Sequence, residues 1–573
     1  MEAAVQLALR PIPPASMPGL EPPDESGARA ILDLLAGNKV PLVTLAREPG
    51  GEGDALWESI AAGHTFGEAL ARESDRRSKL LAEYEPVARG LEAAGMHPVL
   101  HKSPRWFPYL SSNIDVLDEP GLLEPAARVV EGLGHIRFPH YREDHKLLFR
   151  TFTGGAPALS VHLHDAVSWG KVVVVAGERV VAGAVGGDAP GVRVASPADA
   201  LAATLAHTIL ETDQIRLGDL RTARFCLAGG ARVTALLEDA RVNRWTAAAA
   251  TALALYDAVC REAGGGALLD ARESEEVRAT LRRFPWAERL LLSALPRRGV
   301  TLPHRLTRSF SKQHLVRLIL ADDRRDPERK VLDLAASGWN LLVNRLGLRC
   351  RPARLITVSG PDGAGKSRLA ESIEGTLRLC EVPVDRLWSR GGFSRIAVGG
   401  KALARRLAAG ALPDPADERA KRRFLAARWR RVLWTWVVAI EQALRLQRVR
   451  LTLLRGRSVV CDRYTFDSLA DLLARLPGSE RSLPSRAAGF LLGAAPQPDI
   501  AFLIEVEAGV AHARKEDGTT LASRRDLASA YEALRGAAPF HRLDGALPFP
   551  EMAQRAIVET LRRTFDAFEG RRS

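Results

Sequence analysis

Leu355-Ile356-Thr357-Val358-Ser359-Gly360-Pro361-Asp362-Gly363-Ala364-Gly365-Lys366-Ser367 runs from an apolar, β-branched stretch through a glycine-rich turn into a helix-forming sequence. That order is the signature of a phosphate-binding loop. Gly360, Gly363 and Gly365 allow backbone angles closed to other residues, so successive N–H groups, Ala364 included, can converge on phosphate oxygens. Lys366 adds a point charge and Ser367 a hydroxyl suited to Mg²⁺, while the helix opening there, with Arg368 in its first turn, aims its positive end at the same anion. A strand, loop and helix in this order imply an α/β domain that holds a nucleoside triphosphate.

Two later stretches narrow the chemistry. Gly456-Arg457-Ser458-Val459-Val460-Cys461-Asp462-Arg463-Tyr464 is an apolar strand ending in a carboxylate, where Asp462 is placed to help hold Mg²⁺ or its water and Arg463 to meet an acceptor phosphate. Pro498-Asp499-Ile500-Ala501-Phe502-Leu503-Ile504-Glu505-Val506 reads as another buried parallel strand, followed by a helix carrying Arg514 and Lys515. Arg524 and Arg525 come after Glu516-Asp517-Gly518-Thr519-Thr520, a natural closing segment, so these four cations are candidate lid residues.

With these residues in place, the stretch from roughly 350 to 570, about two-fifths of the chain, resembles the thymidylate kinase family. Gly360 to Ser367 is similar to that family's phosphate loop, in which the acidic residue, here Asp362, contacts the 3′-hydroxyl of the acceptor deoxynucleotide. Asp462, Arg463 and Tyr464 match its Asp-Arg-Tyr motif. The resemblance implies ATP and Mg²⁺ as cofactors and a catalytic arginine from the lid, for which Arg514, Lys515, Arg524 and Arg525 are the candidates with Arg514 and Arg524 foremost, and Arg390 lies near where the family keeps an arginine for the acceptor phosphate. The loop variant and the extended Asp462-to-Asp467 motif look most like a divergent branch whose acceptor is usually unassigned. Arg47-Glu48-Pro49-Gly50-Gly51 copies another family motif but precedes the loop by about three hundred residues, so it is read as a decoy. No thymine-stacking segment is recognisable between Phe393 and Arg455.

Pro415 to Leu454 is basic and rich in Trp. One reading is an amphipathic helix on an anionic membrane, and the favoured one is a helix packed on the kinase sheet with its arginines solvated or facing phosphates. The chain has 573 residues and a net charge of +13, so more than one domain and anionic partners are expected. No run is long enough to span a bilayer, and no signal peptide is evident. Cys226, Cys260, Cys350, Cys380 and Cys461 lack metal-ligand spacing, which argues for a reducing cytoplasmic setting and against a zinc site.

Before the loop, helical patterns dominate to Ala94, strands are expected at Pro98 to Lys102, Ser112 to Leu117 and Leu159 to His164, and Ala-rich helices fill 198 to 263. Residues 265 to 348 read as basic and helical, with a hinge at Arg324 to Glu328. The strands resemble uncharacterised nucleotidyltransferases of the polymerase-β type, over roughly 30 to 260. That family pairs two carboxylates one residue apart, with a third on a neighbouring strand, to hold two metal ions. Here the pair reads Asn113-Ile114-Asp115, and Ser160-Val161-His162-Leu163-His164 offers imidazoles where the third carboxylate would be, so Mg²⁺ should bind weakly. A variant transferase, a silent nucleotide-binding module and plain scaffold all stay open. His162 and His164 alternate onto one face like metal ligands, although hydrogen-bonded structural histidines share that look. His207 reads as a packing residue.

The expected organisation is α/β. A polymerase-β-type, nucleotidyltransferase-like α+β domain over 1–265 and a basic helical connector over 266–348 precede a P-loop kinase with a mostly parallel sheet over 349–573. The expected reaction is ATP-Mg²⁺-dependent phosphoryl transfer to a nucleoside monophosphate, with dTMP foremost. A kinase of sugar- or lipid-linked precursors and a silent nucleotide-binding regulator are the alternatives. Expected partners are the nucleoside triphosphate and a phosphorylated small-molecule acceptor, with no specific nucleic acid. Peripheral membrane contact and a homodimer stay open.

Overall fold

The computed structural model describes residues 8–9, 25–46, 63–102, 105–107, 109–111, 113–138, 144–153, 156–296, 300–307, 309–345, 353–380, 382–388, 427–475, 485–513, 520–534, 536 and 539–569. The protein is mixed α/β and divides into two compact units. Met1–Thr151 with Leu159–Leu342 form the first, and Phe152–Ala158 with Val343–Ser573 the second.

The first unit holds a seven-stranded mixed sheet. Its strands are β1 (Val99–Leu100), β2 (Asn113–Leu117), β3 (Ile136–Phe138), β4 (Lys146–Arg150), β5 (Ser160–His164), β6 (Val185–Gly186) and β7 (Arg193–Val194). They lie in the order β6-β7-β1-β2-β5-β4-β3, parallel at β1/β7 and β2/β5 and antiparallel elsewhere. α1 (His64–Ala93) and α2 (Leu123–Gly132) turn Leu80, Tyr84, Val87, Leu91, Ala127 and Val130 into one core with Ile114, Val116 and Val161 of the central strands.

A second core is helical. α3 (Pro197–Leu210) starts where the Ser196 hydroxyl accepts from the Asp199 amide and Pro197 pre-sets the first turn. α4 (Leu217–Ala228) and α5 (Thr246–Glu262) follow. α5 buries Ala247 through Leu253 without a polar stripe except Thr251, whose hydroxyl returns to the Ala247 carbonyl at 2.8 Å. A helix apolar on nearly every side is stable only inside a bundle. Small Ala side chains let its neighbours approach, and each fully buried Leu contributes roughly 1.5–3 kcal/mol.

Of the expected connector, 266–348, residues 266–342 are grouped with this unit and their described part is largely helical. Leu269, Val277, Leu281, Ala287, Leu291, Phe310, Leu318 and Ile319 complete the same core, because the basic residues occupy only the outer faces of these helices. The expected hinge is a tied turn: Arg324 and Arg325 both pair with Asp322, and Arg325 also pairs with Asp333.

The second unit is built on five strands, β8 (Leu355–Ser359), β9 (Val384–Trp388), β10 (Ser458–Asp462), β11 (Ile500–Glu505) and β12 (Phe540–Asp544). Their order is β9-β10-β8-β11-β12, and every pairing is parallel. All five positions of β8 are buried, as a central parallel strand covered on both faces requires. Around the sheet lie α6 (Lys366–Leu379), α7 (Arg428–Leu454), α8 (Thr465–Ala474), α9 (Leu521–Ala533) and α10 (Phe549–Glu569). α6 packs on β8, β9, β10 and α10, and α7 packs on β10. Among the described residues no helix is long and apolar enough to cross a membrane.

Candidate functional site

β8 lies between β10 and β11, so the chain leaving its C-terminal end enters the crevice where the sheet's crossovers diverge. In open parallel sheets that crevice is the usual ligand position. Residues 360–365 form the turn there, and α6 starts at Lys366. Gly360, Gly363 and Gly365 all have positive φ, and at two of them the need for glycine is plain. A Cβ on Gly360, at φ +147°, would stand 2.6 Å from the Ile504 carbonyl oxygen, and Gly365 caps α6 in the left-handed region at φ +89°.

Three cations converge on one acidic residue of the turn. Lys366 Nζ donates to the Pro361 carbonyl at 2.7 Å and lies 3.4 Å from Asp362 Oδ1. The Arg463 guanidinium pairs with the same Oδ1, and Arg524 Nη1 donates to the Asp362 carbonyl at 3.0 Å. All three cations are buried. Among the described residues Arg463 is also one of three non-glycine residues with positive φ, at +75°, its amide held to the Val358 carbonyl at 3.1 Å. Such a conformation costs on the order of 1–3 kcal/mol and persists where neighbours fix it. It turns the Arg463 side chain from the end of β10 toward the loop.

Asp462 is the last residue of β10, paired in register with Val358 of β8. Its Oδ1 is buried and has no hydrogen-bond partner among the described residues. A carboxylate oxygen left so beside a glycine loop suits a hard cation, with Ser367 the exposed hydroxyl at the start of α6. Arg368 faces elsewhere: its guanidinium carbon lies 3.9 Å from the centroid of the Phe549 ring on α10. Arg390, Arg514, Lys515 and the segment Arg47 to Gly51 lie outside the described residues.

The residue that organises the loop's root is Asp467, whose role local sequence does not reveal. Its buried carboxylate accepts from the Ser359 hydroxyl at 2.7 Å, the Tyr464 amide at 2.8 Å and the Gly360 amide at 3.4 Å. The Tyr531 hydroxyl of α9 lies 2.7 Å from Asp467 and 2.9 Å from the Gly360 carbonyl. Burial, reinforced by that carboxylate, pushes the Tyr531 phenol well above its usual range, so it stays a donor. The sequence signals were an Asp three residues after Tyr464, as at a helix start, and nothing for Tyr531.

α7 is mixed on both faces. It buries Arg431, Thr435, Glu441 and Gln442 beside Val438, Ala439, Leu446 and Val449, with Gln442 bonded to Ser468 at 2.6 Å. Trp429, Leu433, Val437, Ile440, Leu444 and Leu451 are exposed. The buried arginine fits the packed-helix reading, while the apolar stripe is the face a lipid surface would take.

In the first unit, β2 and β5 bring Asp115, His162 and His164 together. Asp115 Oδ1 lies 3.2 Å from both His162 Nδ1 and His164 Nε2, and Lys102 Nζ is 3.9 Å away. Burial pushes His101 and His162 below the usual histidine range and His164 down to about 3. Burial would raise the Asp115 carboxyl, but Lys102 and the histidine hydrogen bonds outweigh it and hold it well below the usual carboxylate range. His207 pairs with Glu211 at 2.8 Å, a local i,i+4 contact. The sequence matches no protein-family model and no curated protein.

Proposed function

We propose that the second unit is a P-loop kinase of the thymidylate-kinase type, transferring the γ-phosphoryl group of ATP to a nucleoside monophosphate, dTMP foremost. One observation carries the reading: a glycine loop at the crevice of an all-parallel sheet, with Lys366, Arg463 and Arg524 buried around it and a partnerless oxygen of Asp462 at the neighbouring strand end. The loop's amides and the start of α6 would receive the phosphates. Lys366, drawn toward the Pro361 carbonyl, can swing by rotation of its stem onto a phosphate oxygen, a better acceptor than a carbonyl. Arg463 would neutralise the acceptor phosphate, and Arg524 the charge that develops during transfer. Ser367 and Asp462 would hold Mg²⁺, which neutralises the phosphates when bound. Asp362 serves as the anion that orients Lys366 and Arg463, and as the acceptor for a sugar hydroxyl.

A second reading, transfer to a lipid-linked acceptor, is favoured by the exposed apolar stripe of α7. A coupled ADP-release assay over nucleoside monophosphates, sugar phosphates and prenyl alcohols separates the two. Turnover with dTMP, weakened for its 3′-deoxy analogue, supports the first reading. Turnover confined to the prenyl or sugar acceptors replaces it with the second, and ATP binding without turnover on any acceptor defeats both.

For the first unit we propose a nucleotidyltransferase-like fold without that family's two-metal chemistry. Asn113 and His162 stand where two charged oxygen ligands would be needed.

A further inference from the structure

Asp115 of β2 stands opposite His162 of β5 in a parallel pair, and His164 follows two residues on, so the three side chains share one face of the sheet. The bend after β1 brings in a fourth group. The His101 amide donates to the Asp115 carbonyl at 3.2 Å, and its ring meets that of His164 edge-on, with 4.5 Å between centroids. One ligating atom from each of His101, Asp115 and His164 falls within 4.8 Å of the others. Both ring nitrogens of His101 are buried and have no hydrogen-bond partner among the described residues. An unsatisfied buried polar group keeps its full desolvation cost, so packing alone is a poor reason for a histidine at this position.

We propose that His101, Asp115 and His164 bind one divalent transition-metal ion of the zinc class. The 3.2 Å between His164 Nε2 and Asp115 Oδ1 is close to the separation of about 3.3 Å between two ligands each about 2.0 Å from a tetrahedral zinc. On binding, the hydrogen bond between those atoms gives way to the metal, and the neutral His164 ring carries its proton on Nδ1. Two imidazoles with one carboxylate are a borderline ligand set, which selects zinc-class ions over Mg²⁺. His162 Nδ1, 3.2 Å from Asp115 Oδ1, is a positioning residue that orients the carboxylate. Lys102, partly exposed, is the resident counter-charge and moves toward solvent when the metal enters. Three protein ligands leave a coordination position for a small ligand, the pattern of an open rather than a closed site.

The test uses the full-length protein, stripped with a chelator and titrated with Zn²⁺, Co²⁺ and Mg²⁺. The expected result is one Zn²⁺ per chain by calorimetry, an intense visible band with Co²⁺ from low-symmetry coordination, and no saturable Mg²⁺ binding to this unit. His101→Gln should weaken Zn²⁺ at least a hundredfold, and His162→Gln about tenfold. His101→Leu should keep or raise the metal-free thermal midpoint while abolishing the rise that Zn²⁺ gives the wild type. Should both His101 variants be insoluble, Asp115→Asn carries the same comparison. Wild-type Zn²⁺ affinity in a folded His101 or Asp115 variant, Zn²⁺ well below one per chain, or equal affinity for Mg²⁺ would each overturn the assignment.

Discussion

Asp115 in the first unit and Asp362 in the second are both carboxylates on which basic side chains converge, yet the company each keeps is different. Around Asp115 stand His162, His164 and one lysine, while Arg463 and Lys366 reach Asp362. An imidazole taken out of water sheds its proton and becomes a ligand, whereas a guanidinium keeps its charge and must keep an anion. One cluster should therefore answer to protons and metals, and the other to phosphate. The supporting structure differs to match: short paired strands in a mixed sheet for the first, and a turn anchored through Asp467 for the second.

That anchoring offers the largest effect. Asp467→Ala strands the Ser359 hydroxyl and the amides of Gly360 and Tyr464, and leaves the Tyr531 hydroxyl only the Gly360 carbonyl, all in or near the buried root of the loop. A loss of about 3–4 kcal/mol is expected, and roughly half of that for Asp467→Asn, which keeps one acceptor oxygen. Hydrogen exchange at residues 355–359 reads the second unit alone. Unchanged protection there would mean that the loop is not held from Asp467.

The first unit's sensitivity to acid comes next. His314 is buried between Phe310 and Trp286, its Nδ1 3.0 Å from the Phe310 carbonyl, and burial, with Arg317 nearby, pushes it down to about 4 despite that bond. The unfolded chain takes up this proton near pH 6.5 and the folded chain only near 4, so the unfolded state binds more protons in that window. Stability is therefore unaffected by this group above pH 6.5 and falls as pH drops toward 4, by up to about 3 kcal/mol. His314→Leu should flatten that part of the pH profile. Comparing thermal midpoints of variant and wild type at pH 7.5 and 4.5 checks it, and parallel profiles would exclude the histidine as the source.

Charge at the loop ranks third. Lys366→Ala should slow phosphoryl transfer about a hundredfold, or about 2.7 kcal/mol of barrier, because the transferring group gains exposed charge where Nζ can reach. Equal turnover by a folded mutant would remove the loop from the proposed chemistry.

What the sequence disclosed follows from how local each feature is. The glycine loop was legible because Gly360 and Gly365 encode backbone angles directly, and β8, β10 and β11 because buried parallel strands are unbroken apolar runs. That the helices of 266–342 share the first unit's core was not legible in the expected connector over 266–348, because their outward arginines are visible in sequence and their inward leucines look like any amphipathic helix. Tyr531 was invisible, since its partner Gly360 is 171 positions away and only the packing of α9 joins them. His101 escaped notice for the same reason. The alternation of His162 and His164 is written in one strand, while His101 arrives by the register of β1 on β2.

The smallest effect separates positioning from packing in the second cluster. Arg524 was legible as a candidate from its place in sequence after the expected closing segment Glu516 to Thr520, and its Nη1 reaches the Asp362 carbonyl from the first turn of α9. Thr520 caps that turn by accepting from the Ser523 amide at 3.3 Å, so the guanidinium is carried by an ordered helix start. If it serves the transferring phosphate, Arg524→Lys keeps the charge and loses the fork. The value of kcat should then fall about tenfold, or about 1.4 kcal/mol, with ATP affinity and thermal midpoint little changed. If it merely ties α9 to the loop, the same change should lower the thermal midpoint and leave kcat of the folded enzyme alone. An equal loss in kcat and in ATP affinity would assign Arg524 to ground-state binding of the nucleotide, and the contrast with the imidazole cluster would then rest on Lys366 and Arg463.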